Sequence, residues 1–339
     1  LNCFGPSKEA AQLEGSKEYM KNFLTRYSIP TAKYETFTDS KQAISYVKNE
    51  GCPIVIKADG LAAGKGVTVA FKTEEAIEAI KQSLDNKVFG EAGAKVIIEE
   101  FLEGEEASFI VLTDGDTILP FASSQDHKAR DDKDLGPNTG GMGAYSPAPI
   151  VTPDIHSKIM SQVIRPTIDG LKLDGHDYCG FLYAGIIVDS EQNIKVLEFN
   201  CRLGDPETQP IMMRLNSELA LLCYQATQQT LKTQDLQWKK EVSLGVVMAS
   251  GGYPNTYKTG HKITGIPNER DHLKVFHAGT ELTNQELRTS GGRVLCVVAL
   301  GQNTLKAQTE AYNCVKQIKW ENNFFRKDIG YRAIKREKK

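Results

Sequence analysis

Apolar residues recur along this chain at two spacings. Helical spacing predicts helices over residues 17–26, after Asp39 through Val47, where Ala43, Ile44 and Val47 share a face, and after Thr73, where Ala76, Ile77 and Ile80 do. Further helices are predicted at residues 153–171, 206–213, 218–231 and 305–318. Short alternating or β-branched runs predict strands at residues 34–37, 53–57, 67–71, 95–101, 106–112 and 117–121 in the first part of the chain. Others follow at residues 180–188, 193–199, 242–249, 274–277 and 292–299. Between the two series lies a polar stretch, residues 123–149, rich in Gly, Pro, Asp and Asn. Its Met142, Tyr145 and several glycines read as an ordered binding loop. Residues 232–241 read as a linker, and the charged end at residues 335–339 as a solvated tail.

Composition narrows the class. The chain has 339 residues, with 25% charged and 40% hydrophobic, the mix of a globular protein of two or three domains. Lys and Arg total 41 against 43 Asp and Glu, a net charge of −2. Such balance argues against a nucleic-acid or anionic-membrane surface as the main partner. No apolar run is long enough to span a bilayer. The seven cysteines are odd in number and form no CxxC pair, which suits reduced thiols and a cytoplasmic setting.

Four segments carry candidate chemistry. Residues 57–67 read Lys-Ala-Asp-Gly-Leu-Ala-Ala-Gly-Lys-Gly-Val. This is not a P-loop: the spacing is one short, Gly66 replaces Ser/Thr, and a strand rather than a helix follows. It is a glycine-rich loop between two antiparallel strands. Its backbone N–H groups, with Lys57 and Lys65, suit phosphate oxygens, although a flexible hairpin tip with solvated lysines would read the same way. In residues 196–207, alternation places Glu198, Asn200 and Arg202 on one face, opposite Leu197 and Phe199. A carboxylate and an amide oxygen suit Mg²⁺ bridging phosphates, and an arginine beside them suits a transferring phosphoryl group; a solvent-facing strand edge is the other reading. Residues 96–106 set Glu99, Glu100, Glu103, Glu105 and Glu106 beside an apolar strand, either a solvated acidic turn or part of a nucleotide site. Residues 123–128 and 138–145 join polar side chains to Gly-rich backbone, a combination that suits a small charged substrate. His127 is there a general base or, as loop histidines more often are, a hydrogen-bonded structural residue.

Taken in order, these segments resemble the ATP-grasp superfamily, and within it the phosphoribosylamine–glycine ligase family. The resemblance rests on residues 12–17, 56–67, 124–128, 138–147 and 198–210 and extends over nearly the whole chain. The stretches at 138–147 and 198–210 are the most specific, while the glycine loop is shared across the superfamily. It implies an α+β fold in which two α+β subdomains clasp ATP, followed by a smaller C-terminal α+β domain. It also implies the reaction: ATP, glycine and 5-phosphoribosylamine give glycinamide ribonucleotide, ADP and phosphate through a glycyl phosphate, a step of purine synthesis. The expected cofactors are ATP and Mg²⁺, with Mn²⁺ as a substitute, and the expected state is a monomer or weak dimer.

Carried over residue by residue, the resemblance puts Lys17 and Lys57 on ATP phosphates, under a lid loop shaped by Gly60, Gly64, Lys65 and Gly66. Glu99, Glu100, Phe101 and Leu102 would form the adenine hinge, with Glu105 or Glu106 near the ribose. Glu198 and Asn200 would hold the metal, and Arg202 would face the transferring phosphoryl group. Asp126, Asn138, Gly140, Gly141 and Asp205 would line the glycine and acyl-phosphate pocket, with Asp126 and Asp205 also catalytic. Many ATP-grasp enzymes carry a second acidic metal ligand on the upstream strand; this chain has Gly180-Phe181-Leu182-Tyr183 there. The expected division is residues 1–13 as the remnant of a Rossmann-like N-terminal domain, 14–235 as the ATP-grasp domain with a lid at about 36–101, and 236–339 as the C-terminal domain. Another ATP-grasp carboxylate–amine ligase or carboxylase, or a catalytically incomplete ATP-binding fragment, are the competing readings.

Overall fold

The computed structural model describes residues 2–62, 66–232 and 236–338. Within it the chain forms two compact units. The first comprises Leu1–Leu119, Ile150–Arg202 and Leu219–Thr233, and the second Pro120–Pro149, Leu203–Glu218 and Gln234–Lys339.

The first unit holds two sheets. One runs in the order Tyr34–Phe37, Val96–Glu100, Ile54–Ala58, Val67–Ala70, all antiparallel. Helices Ser40–Glu50 and Thr73–Ile80 cover one face. Ala43, Val47, Ile54, Ile56, Ile80 and Ile98 form its core. Asp39 caps the first of these helices through Gln42 N (2.9 Å), as its place before the apolar pattern predicts. The second helix is capped from Lys72 rather than Thr73, because Glu75 folds back onto the backbone N–H of Phe71 and Lys72. The side chains alternating with Ile54, Ile56 and Ile98 leave by the other face, and they include Lys57 and Glu99. The second sheet runs Ile194–Asn200, Gly180–Val188, Glu105–Thr113, Ile118–Pro120. Its first pairing shifts register where Gly185 meets Glu198 and Ile186 meets Val196, so Leu197 is the extra residue of a bulge immediately before the candidate metal ligand Glu198.

The second unit is built on a sheet in the order Leu273–His277, Arg293–Gly301, Val242–Ser250, Gly143–Ser146, Gln125–Asp126, with Asn323–Phe324 beside the end of the central strand. Leu244, Val246 and Met248 face helix Thr304–Val315 through Ala307, Ala311 and Val315. On the opposite face Val247, Cys296 and Val298 meet Met213 of helix Thr208–Arg214.

This sheet draws segments from both sides of the expected linker. Residues 120–149 and 203–218 group with the C-terminal residues, because Gly143–Ser146 pairs with Val242–Ser250 and Thr208–Arg214 packs on the same strands. The polar stretch between the two series is ordered by that pairing, with Met142 and Tyr145 fully buried. The charged end is solvated, with Lys335 to Lys338 exposed, but it is helical: Tyr331–Glu337 is a helix, and Glu337 accepts from Thr304 N (3.2 Å) and Thr304 Oγ1 (2.5 Å). No helix among the described residues is long and apolar enough to cross a membrane.

Candidate active site

In the first unit, helix Lys17–Arg26 begins behind Ser16, whose side chain accepts from Tyr19 N (3.1 Å) and donates to Asp59 (3.0 Å). Asp59 in turn accepts from Glu18 N (2.8 Å), which locks the helix start to the glycine-rich segment. Lys17 Nζ then reaches the carbonyls of Asp59 (3.3 Å) and Gly60 (3.2 Å). Gly60 is required by space: a Cβ there would sit 2.8 Å from Ala92. Gly66 is confined in the same way, by Ala62 and Ala58. Gly64 and Lys65 lie outside the described residues.

One helical turn after Lys17, Lys21 projects from the same face, a signal the sequence carried and the motif reading passed over. Its ammonium is fully buried and pairs with Glu99 Oε2 at 3.0 Å. It also donates to Thr31 Oγ1 (2.8 Å). Lys57 Nζ pairs with the other oxygen of Glu99 (2.9 Å) and donates to the Leu197 carbonyl (3.3 Å). Glu99 is therefore no solvated turn residue: it is the buried centre of a Lys21–Glu99–Lys57 triad. Burial pushes its carboxyl up, and the two lysines outweigh that and hold it below its ordinary value. Burial likewise lowers Lys17, reinforced by the charge of Lys57 and opposed by Glu198, Asp59 and Glu99. Two lysines, the triad carboxylate and Glu198 thus share one electrostatic neighbourhood. Glu100 faces elsewhere, to Lys195 Nζ (2.7 Å) and Lys33 N (3.0 Å). With Phe101, Leu102 and Ile187, it lines a cleft of about 620 Å³, a size ordinary for small-molecule sites. Glu105 and Glu106 begin the strand beyond, opposite Val188 and Ile187.

Lys21 gives a test of this burial. Desolvation pushes its pKa down to about 8 from 10.5, so between those values the unfolded chain holds more protons than the fold. Lys21 therefore makes stability rise with pH across that window, a contribution lost as pH falls through about 8. Urea unfolding from pH 8 to 10.5 should show a smaller rise for Lys21→Met than for the parent chain; equal slopes would contradict the burial.

Glu198 and Asn200 project from strand Ile194–Asn200. Arg202 follows just beyond the strand, donating from Nη2 to Asn200 Oδ1 (3.2 Å) and from Nε to Glu14 Oε1 (3.0 Å). Glu14 also accepts from Cys201 N (2.8 Å), so it fixes the strand end from far away in sequence, a role no local pattern announces. The upstream position opposite Asn200 is Tyr183, whose hydroxyl meets Ser108 Oγ at 3.0 Å. No group of three or more His, Cys, Asp or Glu side chains that could hold a metal occurs among the described residues. Two hard oxygen donors fit Mg²⁺ of the kind that keeps water and takes the rest of its shell from phosphates.

In the second unit, Asp126 sits on strand Gln125–Asp126 opposite Ala144. Asn138 ends the exposed strand Leu135–Asn138. The Gly140 peptide is held at both ends: its N–H donates to Tyr253 Oη (3.0 Å), and its carbonyl accepts from Arg293 Nη1 (2.6 Å). Asp205 takes both terminal nitrogens of Arg293, at 3.0 and 2.5 Å. Arg293 and Tyr253 were invisible to motif reading. His127 is a structural residue: it is buried, its Nε2 accepts from Gly330 N (3.0 Å), and burial lowers its pKa. Asp134, 3.6 Å from its Nδ1, is pushed up by burial but held well below the carboxylate range by its cationic and donor neighbours, with hydrogen bonds from Tyr331 Oη (2.6 Å) and Arg326 Nη1 (2.8 Å).

Two family models match. Residues 15–208 match the phosphoribosylglycinamide synthetase ATP-grasp (A) domain, and residues 243–332 the C domain of the same enzyme. The chain belongs to the phosphoribosylglycinamide synthetase family. A phosphoribosylamine–glycine ligase of Vibrio vulnificus (strain CMCP6) is 57% identical over 338 residues, 99% of this chain and 79% of that protein. The enzyme of that name from Escherichia coli (strain K12) is 56% identical over 339 residues, with the same shares covered. The crystal structure of the phosphoribosylamine–glycine ligase from Thermotoga maritima superposes with a TM-score of 0.88 at 35% identity, over 96% of this chain and 81% of that one. Biotin carboxylase from Campylobacter jejuni, at 16% identity, shares the fold with a TM-score of 0.74 over 95% of this chain and 70% of that one. The fold is ATP-grasp, mixed α and β.

Proposed function

We propose that this synthetase-family chain is an ATP-dependent carbon–nitrogen ligase that joins glycine to 5-phosphoribosylamine. One oxygen of the glycine carboxylate attacks the γ-phosphorus of ATP, ADP leaves, and glycyl phosphate forms. The amine then attacks the carbonyl carbon, phosphate departs with that carboxylate oxygen, and the nitrogen loses a proton. Phosphorylation converts a poor leaving oxygen into a good one, so the protein is asked mainly to position reactants and stabilise charge.

The observation that carries the reading is the reach of Lys57 to the carbonyl of Leu197 (3.3 Å), the residue before Glu198, in a chain of this family. Lys17 and Lys57 take the ATP phosphates, beside the glycine-rich segment that Gly60 and Gly66 flank. Glu99 to Leu102 supply the adenine hinge, with Glu99 also paired to Lys57, and Glu105 or Glu106 the ribose contact. Arg202, steadied by Glu14, faces the phosphoryl group in transfer. Asp126, Asn138, Gly140, Gly141 and Asp205 receive glycine and its acyl phosphate. Glu198 and Asn200 would hold Mg²⁺, or Mn²⁺ in its place, and the ion would supply charge neutralisation at the phosphates. The seven unpaired cysteines suit a reducing cytoplasm.

The test is ADP release from ATP and Mg²⁺ in the presence of 5-phosphoribosylamine. Release should require glycine; release that needs bicarbonate or another amino acid instead would replace this reading with another ATP-grasp ligase or carboxylase.

A further inference from the structure

Asp205 and Gly140 come from segments 65 positions apart, and a third segment joins them. Arg293, at the start of strand Arg293–Gly301, presents its fork to Asp205 and adds a hydrogen bond to the Gly140 carbonyl. Tyr253 holds the amide of the same residue. The glycines at 140 and 141 are explained by this packing. A Cβ on Gly140 would lie 2.8 Å from Arg293 Cζ, and one on Gly141 would lie 2.3 Å from Pro206 Cδ, with φ already at +110°. In the structure the two glycines leave room for Arg293 and Pro206.

The pair is poorly placed to serve stability. The Asp205 side chain is 54% exposed and that of Arg293 22%, a setting in which an ion pair contributes little. What the arrangement supplies is direction. A planar guanidinium engaging both carboxylate oxygens fixes the orientation of that carboxylate in a way a lysine ammonium cannot. With both oxygens tethered on one side, the remaining lone pairs of Asp205 point to solvent, where an ammonium or amine can meet them.

We infer that Arg293 is a positioning residue for the ligation: it joins Asp205 and the Gly140 peptide into one fixed receptor for glycine. The inference rests on the proposed reading of Asp205 and Gly140 as glycine-pocket residues.

The experiment is steady-state kinetics of Arg293→Lys, Arg293→Met, Asp205→Asn and the Arg293→Met/Asp205→Asn double variant, with melting temperatures alongside. A misplaced receptor is expected to raise the KM for glycine about 10- to 100-fold in both single Arg293 variants. The KM for ATP should stay within about twofold, since its groups are placed independently of Arg293. The double variant should lose less than the two single variants combined, because Arg293 acts in part through Asp205. Arg293→Lys keeps the charge but not the fork, so it decides the matter if Arg293→Met folds poorly. An unchanged glycine KM in Arg293→Lys would overturn the inference, as would parallel changes in both KM values that track the melting temperature. If Asp205→Asn itself leaves the glycine KM unchanged, the pocket reading fails. If Asp205→Asn raises it while Arg293→Lys does not, only the role of Arg293 fails.

Discussion

Glu198→Gln is expected to lower turnover at saturating Mg²⁺ by about 100- to 1000-fold, the scale of losing one charge-stabilising group at a transition state. The substitution keeps the shape and one oxygen and removes the charge. Glu198 stands in the field of Lys17 and, beside Asn200, supplies the only carboxylate of the two-oxygen set. On the proposed assignment its loss weakens metal binding and removes the charge that balances Lys17 and Lys57. Stability should change little, because the side chain is only half-buried at the end of a strand whose core contacts come from Val196 and Phe199. The melting temperature and the Mg²⁺ dependence of turnover check both halves. Unchanged turnover would remove the metal assignment.

The second large effect concerns Glu99. Glu99→Gln leaves Lys21 and Lys57 buried with no carboxylate between them. Breaking a buried ion pair in this way costs about 3–5 kcal/mol, because the remaining charges have lost their compensation. Lys57→Met should behave in the opposite manner. Lys21 still neutralises Glu99, so the stability loss is smaller, while the phosphate-binding ammonium disappears and turnover falls about 100-fold or more. Urea unfolding of the two variants separates the roles. A Glu99→Gln cost below about 1 kcal/mol would mean that the triad is not the buried centre described here.

Much of the fold was legible because it is local. Helix Lys17–Arg26 and strands Tyr34–Phe37 and Gly180–Val188 follow from spacing alone. The hairpin Thr280–Thr283 with Glu286–Thr289 was not read, because its turn residues, Asn284 and Gln285, adopt positive φ without the glycine that usually marks such turns. Residues 153–171 read as one helix, and the structure interrupts them with a wider turn at Met160–Ile164, next to Pro166, which lacks an N–H to donate. The candidate site divided in the same way. Glu198, Asn200 and Arg202 lie within five positions and announce themselves by alternation. Glu14 meets Cys201 across 187 positions and Arg293 meets Gly140 across 153, and no periodicity links residues that far apart. Lys21 was the exception, within reach through its helical spacing from Lys17.

The order of bond making is the centre of this account, and the fate of one oxygen tests it. With glycine labelled by oxygen-18 in its carboxylate, ligation in the presence of ATP, Mg²⁺ and 5-phosphoribosylamine should place one labelled oxygen in each inorganic phosphate released. Phosphate released free of label while glycinamide ribonucleotide forms would contradict phosphorylation of the carboxylate, and with it the role proposed for Glu198 and the role proposed for Asp205.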